Sequence, residues 1–221
     1  MIKLNKLLII TTILISTSFS IIANAQKSVK NFIGPSVVIG IQSTGTKLNV
    51  IEGYEESQSG LNKSSSKDLI KLSAQYGIET YINNFLMNIG ASYVPEASTV
   101  NISSDEGDSL GNSIILKNVI AVYIEPTYVL SETTSIFGKL SYNKADSYFN
   151  GYDGDPGAGA SKNIYGTGLG LGVTHFLRKD FFLKAEIETV HYGTNTYDAD
   201  YDPYLAKTKQ RNATIALGMK F

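Results

Sequence analysis

The chain has no cysteine and no tryptophan among its 221 residues, and only two histidines. Without cysteine there is no disulfide scaffold, no thiolate zinc site and no Cys nucleophile. Charge of one sign is also missing: Lys+Arg number 19 against 20 Asp+Glu, a formal net charge of −1. That disfavours a strongly basic nucleic-acid binder. With 18% charged and 43% hydrophobic residues, intrinsic disorder is disfavoured as well. Beyond the first 25 residues no apolar run approaches the ~18 residues of a membrane helix. What the chain has in surplus is 14 Tyr and 20 Gly.

The N-terminus reads as an export signal. Lys3 and Lys6 precede an uncharged apolar or small run from Leu7 to Ile22, followed by Ala23-Asn24-Ala25. This small-x-small pattern predicts cleavage between Ala25 and Gln26. Residues 1–25 are then a signal peptide and 26–221 a single domain. Cleavage would remove two lysines and no acids, taking the net charge from −1 to −3.

The remainder alternates with period two. Strands are expected at about Ser36–Gln42 (running on towards Val50), Asp68–Gly77, Asn84–Val94, Ile114–Tyr128, Ser135–Asn143, Ile164–Leu177, Phe181–Tyr192 and Gln210–Phe221. Long polar gaps follow the first, third, fifth and seventh, and short turns follow the second, fourth and sixth. Eight strands with this rhythm match the short periplasmic turns and long extracellular loops of a transmembrane barrel. Such strands need only ~9–11 residues, half of them polar. The last strand alternates up to the terminal aromatic, with Leu217, Met219 and Phe221 on one face.

The two faces differ in charge. One parity is almost free of charge in every strand. The other carries Lys71, Lys117, Glu125, Lys139, Lys184, Glu186 and Glu188 in mid-strand. In a small barrel that face lines the lumen, where isolated charge is costly and must be paired. Four Lys against three Glu is close to neutral, and an internal network centred on Glu125, Lys139, Lys184, Glu186 and Glu188 is expected. Tyr76, Phe85, Tyr128 and Phe221 fall at one set of strand ends on the outward parity. Tyr93, Tyr142 and Tyr165 fall at the other. Two such bands are the interfacial girdles of a membrane barrel. Gly166, Gly168, Gly170 and Gly172 alternate with Thr167, Leu169, Leu171 and Val173. Period-two spacing with no helix following excludes a nucleotide-binding loop. On a barrel strand these glycines face inward and leave room for lumen side chains such as Tyr123 or Phe137.

Several of these segments resemble small outer-membrane proteins. Phe32-Ile-Gly-Pro-Ser-Val-Val-Ile-Gly, Tyr123-Ile-Glu-Pro-Thr-Tyr, Phe137-Gly-Lys-Leu-Ser-Tyr, Ala185-Glu-Ile-Glu-Thr-Val-His-Tyr-Gly and Leu217-Gly-Met-Lys-Phe carry the likeness. Over nearly the whole of 26–221 the chain resembles the eight-stranded outer-membrane β-barrel superfamily. That superfamily includes the outer membrane protein A barrel, the outer membrane protein X type and opacity-type surface antigens. The resemblance implies an all-β, antiparallel, up-and-down transmembrane barrel in the bacterial outer membrane. It implies a lumen plugged by Lys–Glu pairs, here Glu125, Lys139, Lys184 and Glu186 or Glu188. It also implies a C-terminal assembly signal at Leu217, Met219 and Phe221, read by the barrel-assembly machinery.

The expected function is that of a monomeric, non-enzymatic surface protein needing no cofactor. It would act in membrane integrity, or in adhesion and ligand contact through four extracellular loops, in contact with outer-membrane lipid and lipopolysaccharide. The alternative is a narrow channel for small solutes. A secreted soluble β-sandwich and a lipid-modifying barrel enzyme are weaker alternatives. For the enzyme, Gly193 stands where the deacylase type of barrel has the serine two residues after its histidine, here His191. His175 and His191 fall near opposite ends of neighbouring strands. Asp198, Asp200 and Asp202 have the carboxylate spacing of a calcium loop, but Pro203 and Lys209 replace its Gly and Glu. A solvated acidic loop is the simpler expectation there, with weak divalent-cation contact as the alternative.

Overall fold

The computed structural model describes residues 30–52, 61–80, 84–96, 98–102, 112–150, 159–197 and 204–221. The expected leader, its cleavage site at Ala25–Gln26 and the Asp198–Asp202 cluster lie outside them. A 3-10 turn, Lys30–Phe32, precedes nine strands: β1 (Gly34–Glu52), β2 (Leu61–Glu79), β3 (Phe85–Val94), β4 (Ser98–Ile102), β5 (Asn112–Val129), β6 (Thr134–Asn150), β7 (Gly159–Phe176), β8 (Phe181–Tyr197) and β9 (Tyr204–Lys220). Apart from β3 and β4, consecutive strands pair antiparallel, and β1 pairs with β9 from Ser36↔Lys220 to Glu52↔Tyr204. β3 and β4 both pair with β5 and form one barrel strand interrupted after Val94, at Pro95. The result is a closed eight-stranded barrel. Closure satisfies the backbone groups of both edges, which a strand-built membrane protein requires.

The outer face explains why these strands alternate. Ile39 on β1, Leu72 on β2, Ile89 on β3, Val122 on β5, Leu140 on β6, Leu169 on β7, Ile187 on β8 and Leu217 on β9 all point out of the barrel and are exposed. Ile41 and Leu169 expose 65% and 67% of their surface. A continuous apolar exterior around a closed barrel is stable in hydrocarbon and not in water. Aromatics bound it on both sides. Phe85 and Tyr128 pack at 4.9 Å between ring centroids at the short-turn end, and Tyr142 stacks on Tyr165 at 6.0 Å at the other. From Phe85 to Tyr93 the belt spans on the order of 20 Å along the axis, allowing for strand tilt.

The strands extend further than the alternation suggests, mostly at the long-loop end. β2 starts at Leu61, inside the polar stretch expected to be a gap, and β4 lies wholly within the expected gap after Pro95. Above the belt many outward residues are polar, among them Ser64, Ser66, Asp68 and Thr99, so the contrast between faces fades while backbone pairing continues.

A second difference follows from a β-bulge. The β5–β6 register shifts between Lys117 and Ile120, where Asn118 takes a φ of 52°. Asn tolerates this left-handed conformation better than most residues. Tyr93 Oη donates to Asn118 Oδ1 at 3.1 Å, and Asn118 Nδ2 donates to Asp146 Oδ2 at 2.9 Å, pinning the bulge. An extra residue exchanges the two faces. Beyond it Ile114 and Leu116 turn inward and Lys117 is exposed. Lys117, expected in the lumen, therefore lies outside it.

Candidate functional site

The interior is layered. At the short-turn end Phe32, Val38, Leu86, Val129, Phe176, Phe182 and Ala216 form an apolar cluster. Phe32 meets Phe176 edge-on at 5.0 Å, so the segment preceding β1 packs into this end of the barrel. That segment is held by Lys220 Nζ donating to the Lys30 carbonyl at 3.0 Å and by Asn31 Nδ2 donating to the Glu132 carbonyl at 2.8 Å. At the opposite end Val100, Ile114, Leu116, Ala145, Ile164, Val190, Tyr192 and Ala206 form a second apolar cluster. Below it lies a polar tier. There Tyr192 Oη donates to Gln210 Oε1 at 3.1 Å, and Thr46 Oγ1 and Ser98 Oγ share a hydrogen bond at 3.0 Å.

Between the two apolar clusters lie six buried charges. Lys71 comes from β2, Glu125 from β5, Lys139 from β6, and Lys184, Glu186 and Glu188 from β8. Both oxygens of Glu125 accept from Lys184 Nζ, at 2.6 and 2.8 Å. Lys139 Nζ lies between Glu186 at 3.0 Å and Glu188 at 3.2 Å. Lys71 pairs directly with Glu186 and stands 3.9 Å from Glu188. Neutral groups complete the shell. Ser141 Oγ donates to Glu188 Oε1 at 2.6 Å, Asn143 Nδ2 donates to Ser141 Oγ at 2.8 Å, and Lys184 also donates to Gln75 Oε1 at 3.1 Å. Lys139 lies 4.7 Å from the Tyr123 ring centroid and Lys184 4.5 Å from that of Phe137, within cation–π range. Three cations face three anions, which meets the requirement for charge in a low-dielectric interior.

The glycines of β7 make this geometry possible. Lys139 and Glu188 are both register partners of Gly170, one from each side. With no side chain between them they meet across the intervening strand. A Cβ at Gly168 would run into Ser141 and Glu188, and one at Gly172 into the Phe137 ring. At Gly90 it would run into Tyr123. The inward ladder on β7 is therefore the slot in which the charged layer and its aromatic neighbours sit.

The five residues expected at the centre of the network lie together in this layer. Lys71, read as inward but not as central, joins them from 115 positions before Glu186. Gln75, Ser141 and Asn143 carry no charge that would mark them in the sequence. Only closure of the barrel shows which side chains on distant strands share a level. Leu217 and Phe221 are exposed on the outer face of β9 and just beyond it, and Met219 is half-buried on the same face. His175 shares a 2.9 Å hydrogen bond with Thr134 at the short-turn end, whereas His191 lies exposed towards the long-loop end. Among the described residues no three His, Asp or Glu are grouped to hold a metal.

No family model matches the chain, and no curated protein matches it by sequence. Solved structures do. The outer membrane protein OprG from Pseudomonas aeruginosa aligns over 86% of this chain and 96% of its own, with a TM-score of 0.58 at 12% identity. Ail, the attachment invasion locus protein of Yersinia pestis, solved with the heparin analogue sucrose octasulfate, aligns over 86% and 99% with a TM-score of 0.49 at 16% identity. The outer membrane protease OmpT from Escherichia coli aligns over 85% and 97% with a TM-score of 0.46 at 11% identity. The likeness to OprG carries the fold comparison; the other two, below one half, add nothing to it. With its apolar belt and aromatic girdles, this chain has the fold of the small eight-stranded outer-membrane β-barrels.

Proposed function

We propose that the protein is a plugged outer-membrane surface barrel. It acts through the segments that join its strands at the long-loop end, in adhesion, ligand contact or membrane integrity, and does not conduct solutes. The observation that carries this is the interior. The void beside Lys71, Lys139, Lys184 and Glu186 amounts to about 10 Å³, about the space of one water. A buried apolar cluster lies on each side of it. An eight-stranded barrel has an interior just wide enough for side chains, which supports a filled lumen.

Planar-bilayer recording of the purified full chain tests the plug. No stable conductance is expected, and none on substituting Ser141→Ala, which removes one hydrogen bond and leaves all six charges in place. Steady unitary conductance in the unsubstituted protein would favour the narrow-channel reading and refute the plug. Binding assays with each long connecting segment deleted in turn then locate the surface activity.

A further inference from the structure

The outer wall over β1, β9 and β8 carries a feature that the lumen does not explain. These three strands lie side by side. Going towards the long-loop end, the outward apolar stripe ends at Ile41, Ala213 and Ile187 and gives way to the small residues Ser43, Gly45 and Thr189. Cations follow. Lys47 and His191 are the register partners of Lys209 on either side, so the three form one outward row across the strands. Arg211, two positions nearer the belt, stands between Gly45 and Thr189. Like charges directly opposite each other destabilise a sheet. Among the described residues none of Lys47, Lys209 and Arg211 forms an ion pair.

Below the row is a groove of about 570 Å³. Leu169, Leu171 and Ile187 wall it, Ser43, Gly45 and Ala213 are among its lining, and Arg211 stands at its cationic end. A side chain at Gly45 would enter nearly open space: its Cβ would approach only the Arg211 carbonyl, at 3.8 Å. The groove thus joins an apolar channel at belt level to cations at its outer rim that form no ion pair among the described residues.

We propose that this groove binds a phosphorylated acyl glycolipid of the outer leaflet, of the lipid A class. An acyl chain lies along Leu169, Leu171 and Ile187, and a phosphate monoester is held by Arg211, Lys209 and Lys47. Charge complementarity selects this occupant. A phosphate monoester carries about −1.5 to −2, which offsets the two flanking lysines, and a guanidinium matches its geometry bidentately. A neutral or zwitterionic lipid would fill the groove and leave the repulsion of Lys47 and Lys209 unrelieved. The proposal rests on the reading that the long-loop end faces the outside.

Native mass spectrometry of the full chain, refolded in detergent and checked for heat-modifiable mobility, tests it. The probes are bisphosphorylated lipid A, its monophosphoryl form and phosphatidylethanolamine, with inorganic phosphate and a heparin-type oligosaccharide as competitors. Bisphosphorylated lipid A is expected to stay bound most tightly. R211Q/K209Q together should weaken it about tenfold or more. Gly45→Leu, which removes no charge and fills the groove, should weaken it comparably, whereas Lys179→Gln at the opposite end should not. The proposal is overturned if phosphatidylethanolamine binds equally well, or if R211Q/K209Q has no effect. It is equally overturned if Gly45→Leu binds as the parent does, if Lys179→Gln matches the double variant, or if either soluble anion competes at concentrations similar to the lipid. None of these outcomes touches the plugged lumen, which bilayer conductance tests separately.

Discussion

Removing Glu125 is the sharpest perturbation of the charged layer. Its side chain is fully buried, and both of its oxygens accept from Lys184 Nζ at 2.6 and 2.8 Å. In Glu125→Ala the Lys184 ammonium keeps Gln75 at 3.1 Å and Glu186 only at 3.9 Å. Breaking a buried pair by removing one partner costs about 3–5 kcal/mol, because the remaining charge is uncompensated. Glu125→Gln keeps the shape and one acceptor and should cost less. Replacing Glu125 and Lys184 together by leucine removes both charges at similar volume. That double change is expected to fall within about 1–2 kcal/mol of the parent, since apolar replacements of whole buried pairs are often neutral or stabilising. The chain has no tryptophan, so the assay is urea unfolding in detergent followed by far-UV circular dichroism and by heat-modifiable gel mobility. The reasoning requires a non-additive cycle, with each single change costing clearly more than the double. An unchanged midpoint for Glu125→Ala, or a double variant as unstable as the sum of the singles, would refute it.

Gly170→Val should prevent assembly of the heat-modifiable form, because a Cβ there meets the Ile187 carbonyl and the Glu188 side chain. Gly138→Ala, whose Cβ reaches only Pro126 at 3.9 Å, should fold normally; equal folding of the two variants would contradict the slot. Lys117→Cys in intact cells should label with a bulky membrane-impermeant maleimide, and Lys139→Cys should not. Failure of Lys117→Cys to label would mean that the Asn118 bulge does not exchange the faces of β5.

Most of the barrel is legible in the sequence because lipid outside and packed charge inside impose opposite demands on alternate residues. Where both demands hold, as from Ile136 to Tyr142, parity alone assigns each side chain. It fails in two kinds of place. Past the outer girdle water replaces lipid, so the outward residues of Leu61–Asp68 and Ser98–Ile102 need not be apolar and the strands lose their contrast. At Asn118 one unpaired residue exchanges the faces, and Lys117 counts as inward only if the chain is assumed to pair without interruption. The members of the charged layer on β5, β6 and β8 can be read because each stands mid-strand on the inward parity. That Lys71 shares their level depends on how many strands lie between and how they stagger, which no local pattern encodes.

The origin of the six charges has a consequence for assembly. β5 to β9 contribute Glu125, Lys139, Lys184, Glu186 and Glu188, which leaves one negative charge in excess. Lys71, from the second strand, cancels it by pairing with Glu186. The interior therefore reaches electroneutrality only when the N-terminal hairpin has joined the C-terminal sheet. Without Lys71 the inner face contributed by β5 to β9 keeps one carboxylate unmatched. Completing the charge balance and closing the cylinder are therefore one and the same step.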